Sequence, residues 1–187
     1  MDPASELISD GERPPVFVSN DAAPGRILLL CEHASNRFPA SLNSLGLNDE
    51  TVSSHAAWDP GALGVALHLS SALDAPLIAS NYSRLVCDVN RPPDSPDAFR
   101  DNSEIYRVPG NEKLPVEERR TRTAAIYEPF HEAVSNCLDT RSAGNGTTLL
   151  VTIHSFTPVY FGAIRDTELG ILHGRDSRLG DILIELA

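Results

Sequence analysis

Apolar and polar positions alternate along this chain in two periods. Short aliphatic or β-branched runs at Ile27 to Cys31, Pro76 to Ser80, Arg84 to Val89 and Leu149 to Ile153 read as strands. The run at 149–153 is unbroken enough to be buried on both faces of a sheet, and 27–31 has the same form. The Gly144-Asn145-Gly146 turn precedes the later one. Val16 to Val18 suits a short edge strand, Val159 to Phe161 an extended continuation, and Glu168 to Leu172 one more strand.

Helical spacing governs three other stretches. His55 to Leu73 places Leu63, Ala66, Leu67, Ser70 and Leu73 on one face, with Asp59-Pro60 as a cap and first turn. Pro115 to Leu138 carries Glu117 and Glu118 in its first turn and a stripe of Ile126, Phe130, Val134 and Leu138, with a kink expected at Pro129. Asp176 to Ala187 opens a last amphipathic helix and stops inside its own pattern, with no cap. Strands alternating with helices predict a mostly parallel α/β sheet. The segment 92–114 has no regular period and reads as a long loop of the kind that covers a site.

Composition narrows the function. A net charge of -11 argues against a nucleic-acid or anionic-membrane binder, either of which wants a basic face. Cys31, Cys87 and Cys137 are odd in number and widely spaced, which suits reduced thiols in the cytoplasm rather than disulfides. No apolar stretch approaches the roughly 20 residues of a membrane span. The acidic amino terminus does not resemble a signal peptide.

The chemistry-bearing residues gather where strands end. His33 follows the first buried run, with Glu32 beside it, and His154 follows the later one. In open α/β sheets ligands bind at that carboxyl edge. Asp59, at the start of a helix, is either a plain cap or a third group at the same edge, and two unrelated strand-end histidines remain the alternative to a shared site. Two imidazoles and a carboxylate with one open position form the usual hydrolytic zinc centre. Arg84, Asn90 and Arg91 bracket the run at 84–89 and suit a carboxylate ligand, the alternative being an Arg84–Asp88 structural pair. His68 and His131 fit packing or surface roles. No glycine-rich phosphate loop and no GxSxG elbow is present.

Five pieces of the chain together resemble the N-formylglutamate amidohydrolase family: EHASNRFP from Glu32, HAAWDPGA from His55, SRLVCDVNRPP from Ser83, YEPFH from Tyr127 and IHSFTP from Ile153. The resemblance runs from about Ile27 to the carboxyl end. It implies a phosphorylase/hydrolase-like three-layer α/β fold, with helices on both faces of a mostly parallel sheet, as in the zinc carboxypeptidase group. It also implies one zinc ion held at His33 and His154, an Asn-Arg grip on the substrate carboxylate at Asn90 and Arg91, and cleavage of an N-formyl or N-acyl amino acid.

Two features depart from the group. Its HxxE motif would put a glutamate at position 36, where this chain has Asn36, so Asp59 is the expected carboxylate ligand. Its general-base glutamate comes on a late strand that nothing after Asp176 resembles, so the chain is expected to be a shortened member or fragment. His55 is then the candidate stand-in base. Residues 1–24 are expected to be a loose lead-in and 25–187 one domain. The alternatives are an inactive carboxylate-binding homologue or a hydrolase of another small amide or peptide.

Overall fold

The computed structural model describes residues 7–143 and 147–186, so the expected Gly144-Asn145-Gly146 turn lies outside the described residues. The chain divides into two compact units, Met1–Phe156 and Thr157–Ala187.

The first unit is built on four strands: β1 (Val16–Ser19), β2 (Ile27–Cys31), β3 (Leu77–Ser80) and β6 (Leu149–Thr152). Their order is β1-β3-β2-β6. β2 runs parallel to both β3 and β6, and β1 closes the other side antiparallel to β3. Alternate residues feed two different cores, as the period of a strand requires. Leu28, Leu30 and Ile78 pack with Phe130 and Val134 of one helix. Leu29, Cys31, Leu77 and Ala79 pack with Ala62 and Ala66 of another. Helices thus cover both faces of a mostly parallel sheet, the three-layer arrangement expected. In the stretch read as a lead-in, β1 is paired and Leu7 packs into the first of these cores.

β6 is not buried on both faces. It is an edge strand among the described residues, with Leu150 half exposed. An apolar run reports the side chains of a strand and not how many neighbours it finds.

The run 84–89 is not a strand either. It is a buried series of turns in which side chains take up backbone groups that a ladder would use. Ser83 Oγ accepts from the Leu85 N–H at 3.1 Å, and Asp88 Oδ1 accepts from the Asn90 N–H at 3.0 Å.

After a short helix α1 (Asp49–Ser53), the chain turns through 54–61 into α2 (Ala62–Ala72). Asp59 does not cap α2. Gly61 does, at φ 84°, a left-handed conformation open to glycine. The buried face of α2 is Ala62, Ala66 and Ser70, while Leu67 and Leu73 of the expected stripe are exposed.

The long amphipathic helix is α3 (Val116–Arg122) and α4 (Glu128–Ser142), joined by a π-helical turn, Thr123–Tyr127. Pro129 has no N–H to give, and the widened turn ahead of it accommodates the change of hydrogen-bonding where a kink was expected. Ile126, Phe130 and Val134 form the buried stripe.

Segment 92–114 is more structured than a loop. It holds a small hairpin, β4 (Asn102–Ser103) with β5 (Tyr106–Arg107), between two short 3-10 turns. Buried Arg122 anchors it, donating to Asn111 Oδ1 at 2.6 Å and to the Gly110 carbonyl at 3.2 Å, and pairing with Glu118.

The second unit contains the hairpin β7 (Val159–Tyr160) and β8 (Ala163–Ile164), turned by Phe161-Gly162, and the helix α5 (Arg178–Leu186). Residues 168–172 are not a strand, because no neighbour pairs with them among the described residues. No helix among the described residues is long and apolar enough to cross a membrane.

Candidate metal centre

The parallel register sets the site. Leu30 lies opposite Thr152, and the Ile153 N–H donates to the Leu30 carbonyl at 2.9 Å. His33 and His154 therefore leave adjacent strands at the same carboxyl edge, with ring centroids 4.9 Å apart. The turn before α2 brings the third group. The Asp59 N–H donates to the His33 carbonyl at 2.9 Å, which holds the Asp59 side chain against both rings.

Asp59 Oδ2 lies 2.8 Å from His154 Nδ1 and 3.3 Å from His33 Nδ1. His33, Asp59 and His154 each offer one ligand atom, and these atoms all lie within 4.8 Å of one another. His33 and Asp59 are buried, while the His154 side chain keeps about a third of its surface open (32%). A buried anion flanked by two imidazoles and open on one side suits a divalent cation of the zinc type.

The surroundings fit such an ion. His33 Nε2 lies 2.8 Å from Asp88 Oδ1, so the far side of the ring is held by a second carboxylate, as metal-ligating histidines usually are. The buried Glu32 Oε2 lies 3.5 Å from His154 Nε2 and has no hydrogen bond.

Electrostatics bind the cluster together. Burial alone would push the Asp59 carboxyl up, but hydrogen bonds from His154 and His33 and the charge of Arg84 hold it well below the usual carboxylate range. Burial likewise works against Asp88, and His33 and Arg84 bring it down. For His33, burial opposes the charged form, yet Asp59 and Asp88 outweigh it and raise the ring.

The other expected site residues divide. Arg84 joins the cluster, donating from Nη1 to Asp59 Oδ1 at 3.1 Å and lying 3.7 Å from Asp88 Oδ2. It is thus paired with Asp88, as in the structural alternative, and with Asp59 as well. Asn90 is exposed, and Arg91 Nη1 donates to the Asn90 carbonyl at 3.4 Å. His55 stands in a different pair, its Nε2 2.6 Å from Glu104 Oε2. Asn36 Nδ2 donates to the Val52 carbonyl at 3.1 Å. His131 packs on Tyr127 and meets the Val89 carbonyl at 2.9 Å, and His68 is exposed.

Sequence reasoning missed the role of Asp88. The Asp-Val-Asn order before Pro92-Pro93 is a turn signal, and weighing it would have freed Asp88 from the strand reading.

Residues 25–187 match the family model described as N-formylglutamate amidohydrolase. The chain belongs to that family. Among relatives of this N-formylglutamate amidohydrolase family member is the N-formylglutamate deformylase of Pseudomonas aeruginosa, 30% identical over 114 residues. That match covers 52% of this chain and 42% of the deformylase, so the chain spans about two fifths of that relative's length. Among solved structures, the crystal structure of gene product Atu2144 from Agrobacterium tumefaciens superposes with a TM-score of 0.94 at 50% identity. It covers 96% of this chain and 71% of that one.

Proposed function

We propose that this chain acts as a zinc-dependent hydrolase of the amide bond in an N-formyl or N-acyl amino acid of the N-formylglutamate kind. The observation that carries the reading is the convergence of His33, Asp59 and His154 on one point, backed by Asp88. Family membership and the deformylase relative supply the substrate class.

Zinc bound there supplies a Lewis acid for the acyl oxygen and for water. His33, His154 and Asp59 would hold it, with Asp88 accepting the His33 Nε2 proton so that Nδ1 faces inward. Arg91 and Asn90, near the surface, bind the substrate carboxylate, with Arg84 presenting its remaining N–H groups from the cluster. His55, paired with Glu104, is the stand-in general base that takes a proton from the attacking water and passes it to the leaving amine. Water and the N-formyl amino acid thus become formate and the free amino acid. The three free cysteines support a cytoplasmic setting.

The test is direct. Protein purified without a histidine tag is loaded with zinc and given N-formylglutamate, and formate release is followed. Release that His33→Ala abolishes supports the reading, whereas binding without turnover points to the inactive carboxylate-binding homologue.

A further inference from the structure

Glu32 is a buried carboxylate with an orphaned oxygen, and its neighbour explains why. Leu28 pairs with Leu150 and Leu30 with Thr152, so the same register carried two residues further sets Glu32 beside His154. Adjacent strands lie about 4.8 Å apart, close enough for a carboxylate and an imidazole to meet. Yet Glu32 Oε2 stops 3.5 Å from His154 Nε2 and has no hydrogen bond. A buried carboxyl oxygen left without a partner is costly.

The two histidines are mirror images in their distances. His33 is close to its outer carboxylate (Nε2 to Asp88, 2.8 Å) and farther from the central one (Nδ1 to Asp59, 3.3 Å). His154 is close to the central carboxylate (Nδ1 to Asp59, 2.8 Å) and farther from the outer one (Nε2 to Glu32, 3.5 Å). A neutral imidazole has one N–H, and the short contact marks where it sits. His33 therefore gives its Nε2 proton to Asp88, and its Nδ1 is the nitrogen that faces Asp59. His154 carries its proton on Nδ1, with a lone pair turned toward Glu32.

We propose that Glu32 is the positioning residue of His154: on metal loading the His154 proton moves from Nδ1 to Nε2 and is accepted by Glu32. The move changes no net charge on the ring. It frees Nδ1 to bind the cation and gives the orphaned oxygen its hydrogen bond. Glu32 would then stand to His154 as Asp88 stands to His33. The inference rests on the reading of this cluster as a metal centre.

Two readouts on untagged protein test it, zinc affinity by competition with a chromophoric chelator and long-range proton–nitrogen spectra of the histidine rings. In the parent, zinc should convert His154 from the Nδ1–H to the Nε2–H form, with the proton shifted by hydrogen bonding. Glu32→Ala, confirmed as folded by its thermal melt, should lose about 10- to 100-fold in zinc affinity and lose that shifted proton. Glu32→Gln keeps the volume and an acceptor, so it should retain the Nε2–H ring with a smaller loss, and it stands in if the alanine variant does not fold.

Zinc affinity in Glu32→Ala within twofold of the parent, or an Nδ1–H ring in zinc-loaded Glu32→Gln, overturns the role of Glu32 and leaves the metal centre standing. A parent that takes up no zinc overturns the centre, and this inference with it.

Discussion

Ser83 Oγ donates a 2.7 Å hydrogen bond to the carbonyl of Ala57, and that bond ties the turn carrying Asp59 to the segment carrying Arg84 and Asp88. Both residues are fully buried. Neither segment belongs to a strand or helix, so the distance between Asp59 and Asp88 depends on such cross-links and not on a ladder.

Ser83→Ala removes the donor and leaves the Ala57 carbonyl unsatisfied in the interior. The expected cost is about 1–3 kcal/mol of stability. Denaturant unfolding should show a lower midpoint with an unchanged slope, and zinc affinity should fall with it because Asp59 loses its anchor.

Asp88→Ala takes away the acceptor on the far side of His33. Zinc affinity should drop about 10- to 100-fold, while Asp88→Asn, which still offers an oxygen to Nε2, should lose less. Calorimetric titration of both variants checks the order, and equal losses in the two would show that charge matters here and orientation does not.

Arg122 is buried beneath segment 92–114 and bonds Asn111, whose own Nδ2 holds the Leu85 and Arg100 carbonyls at 2.8 Å. Arg122→Ala strands those partners and should cost about 3–5 kcal/mol. Arg122→Lys should rescue little, since a point ammonium cannot copy the planar fork. Thermal melts of the two variants measure the difference.

Burial pushes the Cys31 and Cys87 thiols up to about 12, with Glu32 and Asp59 adding to the effect at Cys31 and Asp88 at Cys87. Neither should react with iodoacetamide at pH 8 in the folded protein, and both should react once it is unfolded. The sign for stability follows. Each thiol ionises in the unfolded chain near 9.0 but stays neutral in the fold until about 12. Their contribution is whole below pH 9 and is lost as the pH climbs toward 12. Unfolding midpoints between pH 8 and 11 should therefore decline.

What was legible in the sequence was local. Ile27 to Cys31 and Leu77 to Ser80 announce themselves because an unbroken apolar run has nowhere to go but a sheet interior. His33 and His154 are found because each ends such a run. The failures come from long-range partners. Arg84 to Val89 has strand composition, but Ser83 and Asp88 satisfy its backbone from the side and fold it into turns. Asp59 reads both as a cap, because it precedes Pro60, and as the carboxylate of the site; the folded chain sets that carboxylate against both imidazoles and leaves the cap to Gly61. The pairing of Asp88 with His33 spans 55 residues and leaves no periodic trace.

The alignment of β6 on β2 makes the proposed metal centre a matter of counting. Side chains on a strand change face with every residue, so one extra residue ahead of His154 would turn it away and offer Ile153 instead. One alanine inserted between Thr152 and Ile153 poses the question. Far-UV circular dichroism should scarcely change, yet zinc uptake should vanish, and retained uptake would mean that β6 can shift to restore its phase. In this protein the reagent is stored as an odd-or-even relation between two strands, and a change of parity erases it without unfolding anything.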